Sequence, residues 1–465
     1  MLTEEYSSQE LYLKSLIEQY TNRTKTSKQM AQNYRPFLAD PRVPEGFNLP
    51  LKEICYPIVG QRSQGSRIWD MDGNEYIDLM MGFGVNLFGH NPPFIKKVLQ
   101  EQLEEGIHLG PQSELAGEVA QLVCELTGME RVAFSNTGTE AVMTAVRLAR
   151  TVTGRNKIVM FSGSYHGHFD GTLAKAQIEH GNPSAIPIAP GVISKFVDDV
   201  LVLDYGNAQS LEMIKSHAQE LAAVLVEPVQ SRRPNLQPKA FLEELRQLTE
   251  ALGIVLIFDE MITGFRIHPG GAQAWFGIKA DIATYGKIVG GGMPIGVIAG
   301  KSIYMDAIDG GMWNYGDASS PQAKKTFFAG TFCKHPLAMA AAKAVLQHLK
   351  SHGFTLQEQL NQRTSQFVKT LNTFFVENEV PIEMANFGSL FAPASSETST
   401  LLRTSPSSIG TALLVYHLIN RGIILYLDGS GFLSTAHTDE DINYLIQAVK
   451  DSVEQLQAGG FLPKR

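Results

Sequence analysis

Long apolar runs, paired cysteines and a basic surface are all missing from this chain. No uninterrupted apolar stretch approaches the ~20 residues that span a bilayer, so no transmembrane segment is expected. The opening MLTEEYSSQELYLK has no basic segment followed by an apolar core. No secretory signal is therefore legible, and the expected location is cytoplasmic. The three cysteines, Cys55, Cys124 and Cys333, lie far apart and form no Cys-x-x-Cys pair. That suits a reducing compartment and argues against a zinc site. A net charge of −8 argues against nucleic acid or an anionic membrane surface as the main partner. With 44% hydrophobic and 18% charged residues over 465 positions, the chain has an ordinary globular composition. Its length is enough for two or three packed units.

The stretch 254–296, IVLIFDEMITGFRIHPGGAQAWFGIKADIATYGKIVGGGMPIG, carries the chemistry. Ile254 to Phe258 is a short β-branched apolar run, as in a parallel strand covered on both faces. It ends at Asp259 and Glu260. Ligands of open α/β sheets gather at the carboxyl ends of strands, where a functional acid is useful. A second run, Asp281 to Tyr285, leads into Gly286-Lys287 and then Gly290-Gly291-Gly292. Glycines let a flat ligand or another backbone approach closely. An acid and a lysine at two strand ends are together what pyridoxal 5′-phosphate requires. The lysine amine forms a Schiff base with the cofactor aldehyde, and the carboxylate keeps the pyridine nitrogen protonated. At an effective dielectric near 20, such an ion pair at ~4 Å amounts to roughly 4 kcal/mol before desolvation. Taken singly, Asp259 also reads as a cap and Lys287 as a surface lysine.

Strands alternate with helices through the middle of the chain, which predicts a mostly parallel sheet flanked by helices. Val132 to Phe134 reads as a strand, followed by Ser135-Asn136-Thr137-Gly138-Thr139-Glu140 and the helix AVMTAVRLAR. A helix start offers free N–H groups and a positive dipole end to a phosphate. Thr137 and Glu140 equally fit a capping box, and both readings stay open. Lys157 to Phe161 is a strand before SGSYHGHFDG, where His166 and His168 form His-x-His without an acidic or cysteine partner, so no metal is expected. Residues 179–200 read as a long loop near the site. Ala222 to Val226 is an apolar strand ending in Glu227-Pro228-Val229-Gln230, with Glu227 read as closing the turn. FLEELRQLTEALG reads as a helix with a glycine stop.

Around this core the organisation expected is a helical arm over 1–45, a first part of a small domain over 46–112, a large domain over 113–350, and the rest of the small α+β domain over 351–465. In the arm, Leu11, Leu13, Leu16, Ile17 and Tyr20 share one helix face, and NRTKTSKQ reads as a solvated basic stretch. Asp70-Met71-Asp72-Gly73-Asn74 is a hairpin turn signal. MGFGVNLFGHNPP is a glycine-rich loop packed by Phe83 and Phe88, and 393–408 is a polar loop. Gly330-Thr331 stands ahead of a helix at 336–350 and reads as its N-cap.

The motifs DE-x-x-TGFR (259–266), GGAQ (270–273) and GK-I-x-GGGMP-x-G (286–296) stand in order, and the chain resembles class III, fold-type I aminotransferases of the glutamate-1-semialdehyde aminomutase type from about Tyr56 to Pro463. It is more similar still to the aminotransferase domains of hybrid polyketide–nonribosomal peptide synthases. SRRPNLQP (231–238), TFFAGTFCKHPLAMAAA (326–342) and FLSTAHTDEDI (432–442) carry that likeness. The resemblance implies that Lys287 and Asp259 are catalytic. It implies that Thr137, Gly138 and Thr139 hold the cofactor phosphate, that Tyr165 stacks on the ring with His166 beside it, and that Gln230 reaches the phenolic oxygen. It implies a homodimer with shared sites, in which Thr331 reaches the phosphate of the neighbouring subunit's cofactor, and it places Phe83 at the substrate mouth.

The activity implied is transfer of an amino group from an amino-acid donor to an oxo acceptor. The synthase likeness implies a carrier-bound β-ketoacyl thioester, with an acyl carrier protein as partner. Such domains carry a similar arm where they join a larger synthase, so an origin as one domain of a longer protein is one expectation. Two departures bear on the acceptor. The synthase domains show an acidic residue and an arginine before FLST, where this chain has Tyr426-Leu427-Asp428-Gly429-Ser430-Gly431, and an arginine after the Phe391-Ala392 position. A free aldehyde or ketone, as in pigment-pathway relatives, is therefore an alternative. Against the aminomutase reading, no residue among 41–55 convincingly matches its substrate-carboxylate arginine. A fold that binds cofactor without transfer is the remaining alternative, opposed by intact Lys287, Asp259, Gln230 and Tyr165.

Overall fold

A computed structural model describes residues 8–41, 47–179, 182–394 and 409–463. They fall into two compact units, one of the described residues within 1–92, 360–394 and 409–463, the other of those within 93–359. These boundaries differ from the sequence reading at 112/113 and 350/351. The helix Pro93–Glu105 belongs to the larger unit, where Phe94 stacks on His348 with centroids 4.3 Å apart. The other boundary falls inside the continuous helix Thr355–Glu377.

The larger unit is built on a seven-stranded sheet. In chain order its strands are β1 (Arg131–Ser135), β2 (Lys157–Phe161), β3 (Val200–Leu203), β4 (Leu221–Val226), β5 (Val255–Asp259), β6 (Ile282–Gly286) and β7 (Gly296–Gly300). Their order across the sheet is β1-β7-β6-β5-β4-β2-β3. The pairs β6/β5, β5/β4, β4/β2 and β2/β3 are parallel, and β7 alone runs antiparallel to both neighbours. The central strands have no polar face. Every residue of β4, LAAVLV, and of β5, VLIFD, is buried, as both-sided coverage requires. One cover is helix α1 (Gly138–Thr153), whose Ala141, Val142, Ala145, Val146 and Ala149 pack with Leu225, Val255, Ile257, Ile282 and Ile298. The expected stop of helix Lys239–Leu252 is present as Gly253 at φ 62°.

Part of the stretch read as a loop over 179–200 is not one. Strands Ala174–Glu179 and Asn182–Pro187 pair antiparallel, so backbone groups that a free loop would leave to water bond to each other. The supposed N-cap at Gly330-Thr331 is also corrected. Helix α2 (Pro336–His352) is capped by His335, whose Nδ1 accepts from the Leu337 N–H at 3.2 Å.

In the smaller unit the Asp70–Asn74 turn joins the antiparallel strands Arg67–Asp70 and Glu75–Asp78. Asp70 Oδ1 accepts from the N–H groups of Asp72 and Asn74. The basic stretch after the arm helix Ser8–Arg23 is not simply solvated. Thr24 and Ser27 are fully buried, Thr24 Oγ1 bonds Tyr56 Oη at 2.7 Å, and Thr26 N–H donates to Asp72 at 2.9 Å. Of the arm's apolar face, Leu16 and Tyr20 are buried and Leu11 is exposed. Residues 395–408, most of the polar stretch, lie outside the described residues. Among the described residues, no helix is long and apolar enough to cross a membrane.

Glu260 fixes the turn after β5. Its Oε2 accepts from Ala272 N–H at 2.6 Å and Thr263 Oγ1 at 2.9 Å, and its Oε1 from Gln273 N–H at 3.1 Å. Full burial pushes its carboxyl up from 4.5 to about 7, against these three donors. A raised folded-state value means that its contribution to stability is fully present below pH 4.5 and is lost as pH rises through about 7. Glu260→Gln offers one acceptor where two oxygens are used, so it should cost about 1–3 kcal/mol in chemical denaturation. It should also flatten the decline of stability over that pH window. An unchanged slope would remove Glu260 as its source.

Candidate active site

The strand directions bring the chemistry to one edge of the sheet. The carboxyl ends of β1, β2, β4, β5 and β6 lie on the same side, and antiparallel β7 starts there, with Gly296 opposite Ser135 and Gly286. Asp259 ends β5, and Lys287 follows β6 directly. Thr137 to Thr139 follow β1, Tyr165 and His166 follow β2, and Glu227 and Gln230 follow β4. Five segments distant in sequence thus meet where doubly wound sheets hold their ligands.

Asp259 is buried, at 4% exposure. Its Oδ2 is 2.7 Å from His166 Nδ1, and its Oδ1 accepts from Met261 N–H at 3.2 Å and Thr284 Oγ1 at 3.3 Å. His166 Nε2, on the far side of the same ring, is buried with no hydrogen-bond partner. An orphaned buried nitrogen is costly and marks a position completed by something else. Lys287 holds a left-handed backbone, φ 44°, which strains any residue bearing a Cβ. Such strain collects at functional sites. Burial pushes the Lys287 amine below its ordinary value, and the Arg266 charge adds to this. Asp259 and Glu227 pull it back up.

Glu227 is buried, and its two oxygens hold two loops. Oε1 accepts from Tyr165 N–H at 2.6 Å and Oε2 from Ser231 N–H at 3.1 Å. Its structural reading therefore widens from closing one turn to joining two. Gln230 donates Nε2–H to Ser162 O at 2.9 Å, while its Oε1 is buried without a partner. Tyr165 remains 47% exposed at the opening.

At the start of α1 the capping alternative holds in part. Thr137 Oγ1 accepts from Glu140 N–H at 3.2 Å, and the Glu140 carboxylate accepts from Asn136 N–H at 2.7 Å. Thr139 Oγ1 also accepts from His168 N–H at 3.3 Å. Gly296 lets β7 pass directly beneath this turn, because any Cβ there would run into Thr137 O and Ser135 Oγ. Capping and a phosphate cup are compatible, since the cap engages the Glu140 N–H. Thr331 is exposed in the loop before α2. Phe83, in the smaller unit, lies in a run of left-handed residues from Met81 to Gly84 and packs on Tyr426 at 5.0 Å. Sequence reasoning passed over Arg266, buried at 2% exposure with Nε–H directed to Ile262 O, and Thr284. Arg266 closes the DE-x-x-TGFR motif, and that was the available signal. Among the described residues, no group of three His, Cys, Asp or Glu side chains is placed to hold a metal ion.

The family model for class III aminotransferases matches residues 51–449. The chain belongs to the class III aminotransferase family. A glutamate-1-semialdehyde 2,1-aminomutase of Exiguobacterium sp. is 35% identical over 90% of this chain and 96% of its own length. An aminomutase of the same name from Aquifex aeolicus is 34% identical over 89% and 97%. Among solved structures, an omega-transaminase from Sphaerobacter thermophilus aligns with a TM-score of 0.81 at 28% identity, covering 93% of this chain and 98% of its own.

Pyridoxal 5′-phosphate is the cofactor of this class III aminotransferase. The residues present fit it. A lysine amine depressed by burial, a buried carboxylate tied to a histidine, two orphaned polar atoms and a helix start at one sheet edge are a donor set for an aldehyde, a basic ring nitrogen and a phosphate. Lys287 would hold the aldehyde, Asp259 the ring nitrogen, and Thr137, Gly138 and Thr139 the phosphate.

Uptake of pyridoxal phosphate by the cofactor-free protein should quicken as pH rises, reaching half its plateau below the ordinary lysine value of 10.5. Asp259→Asn removes a charge that raises the Lys287 value, so the midpoint should move lower still. Visible absorption during reconstitution reads both. A midpoint at or above 10.5 would contradict the burial argument.

Proposed function

We propose that the enzyme moves an amino group from an amino-acid donor to an aldehyde or ketone of a secondary-metabolite intermediate, with a carrier-bound β-ketoacyl thioester as the acceptor. The observation that carries the transfer is the Lys287 amine, depressed by burial, on the same sheet edge as the Asp259–His166 pair. When bound, pyridoxal phosphate supplies an aldehyde that captures amines and a ring that accepts electrons from the substrate Cα. Lys287 Nζ takes the Cα proton as general base and returns it as general acid. A depressed amine pKa supports that role, because more of the amine is unprotonated near neutrality. Asp259, oriented by His166 and Thr284, holds the proton on the pyridine nitrogen. Gln230 is assigned to the phenolic oxygen, and Tyr165 covers the ring.

The thioester acceptor rests on the likeness of residues 231–238, 326–342 and 432–442 to synthase aminotransferase domains. Phe83, paired with Tyr426, is assigned to the substrate mouth. The working form is a homodimer in the cytoplasm, with Thr331 reaching the cofactor phosphate of a second copy. The exposure of Thr331 before α2 suits that reach.

A second reading is an isomerase like the relatives named aminomutases, 34–35% identical over nearly their full lengths. Glutamate, glutamine and alanine added in turn to the cofactor-loaded protein separate the two. The transferase reading expects one donor to remove the visible band of the bound aldehyde and to release the matching oxo acid in equal amount. No response to any donor, with conversion of glutamate 1-semialdehyde to its isomer, would replace it by the isomerase. Lys287→Ala should lower oxo-acid release by at least about 10²-fold, and retained turnover would end the assignment.

A further inference from the structure

The turn after Gln230 carries two arginines that the chemistry above does not use. Arg233 N–H donates to Gln230 O at 2.9 Å and closes it. The guanidinium of Arg232 lies over the ring of Tyr165, 5.8 Å from its centroid. At that separation a cation and a ring face attract. Because Tyr165 is half exposed, the pair stands at the open side of the site and not in the core. Arg233 lies close by. Its Cδ is 3.7 Å from where a Cβ on Gly163 would stand, and its Nε is buried with no hydrogen-bond partner. Gly163 has φ +83°, and an added Cβ would also come within 3.2 Å of the open Gln230 Oε1. Neither loop is loosely placed, since the Glu227 carboxylate bonds Tyr165 N–H and Ser231 N–H at once.

The charges of the site call for a cation there. Asp259, Glu227 and Glu260 are three buried carboxyl groups on one sheet edge. An amino-acid donor brings another carboxylate, which at an edge lined by acids needs a cation of its own. Lys287 has its own task, and Arg266 is buried with Nε–H directed to Ile262 O. A guanidinium at the opening offers a planar fork that fits a carboxylate with two parallel hydrogen bonds. Stacking on Tyr165 holds that fork beside the ring that covers the cofactor in the reading above.

We infer that Arg232 binds the α-carboxylate of the amino-acid donor, with Arg233 as a second donor beside it. The inference rests on the transaminase reading and names the recognition element of the same site. Alanine and ethylamine form the test pair, differing only by the carboxylate. Each is titrated against the cofactor-loaded protein, and half-saturation is read from the loss of visible absorption. Arg232→Gln should raise half-saturation by alanine about 10- to 100-fold, the loss expected for a charge-assisted hydrogen bond, and leave ethylamine within about twofold. Equal weakening of both amines would make Arg232 a support for Tyr165 and overturn the proposal, as would an unchanged alanine value. Should Arg232→Gln fail to fold, Arg232→Lys keeps charge and stem but loses the fork. It should weaken alanine several-fold with ethylamine unchanged, and equal values for the variant and the wild type would again overturn the proposal.

Calorimetric titration with propionate needs no turnover. Binding to the wild type that is lost in the variant supports the carboxylate site, and equal binding to both overturns it. Propionate binding through Arg232 in a protein that accepts no amino donor would overturn the transaminase reading, and with it the donor as the ligand, whereas a working transaminase whose propionate binding survives Arg232→Gln would overturn this inference alone.

Discussion

The bond between Asp259 and His166 is the contact on which the site depends. A carboxylate at 4% exposure is costly to bury unless its oxygens are met, and here both are. Thr284 and the Met261 N–H meet one oxygen, and the His166 ring meets the other. The same bond ties the loop after β2 to the end of β5, so Tyr165 next to His166 inherits its position. The orphaned Nε2 of His166 is the reverse side of this arrangement, since a ring fixed by Asp259 cannot turn to find its own second partner. Lys287 lies within reach of the same charge, and its amine balances burial and Arg266 against Asp259 and Glu227.

The buried acids divide the labour by what meets them. Glu260 is occupied by Ala272, Gln273 and Thr263 and is fully committed to the turn. Glu227 is occupied by two loop N–H groups and acts as a clamp. Asp259, bonded to side chains and one backbone N–H at a strand end, faces the edge where a ligand would sit. Three acids adjacent in space and alike in burial therefore have different chemistry, decided by their donors. The same clamp joins the Tyr165 and Ser231 loops, and so sets Arg232 against Tyr165.

The sheet was legible from short apolar runs. LAAVLV and IVLIF have no polar face, and only a strand covered on both sides uses such a run. The Asp70–Asn74 hairpin and the Gly253 stop were equally open to reading, because turns depend on local residues. The pairing of Ala174–Glu179 with Asn182–Pro187 was not, since glycine and proline density mark breaks without showing what pairs across them. The N-cap of α2 was misplaced because His335 caps less commonly than threonine, and the competing Thr331 lay close by. The docking of Thr24, Thr26 and Ser27 was hidden by the lysines around them.

By itself, the sequence determined the fold class, the family and the cofactor, and it singled out the acid–lysine pair proposed to hold that cofactor. Each is encoded in contiguous residues: apolar runs, DE-x-x-TGFR and GK-I-x-GGGMP-x-G. Only the tertiary structure decided which acid is bonded to His166, which clamps two loops and which staples a turn. It alone brought Arg232 over Tyr165, 67 positions earlier in the chain. Hydrogen-bond partners and burial fix an ionisable group's role, and both are set by which strand ends the sheet order brings together. Strand order is a property of non-local pairing, which no local pattern of residues encodes.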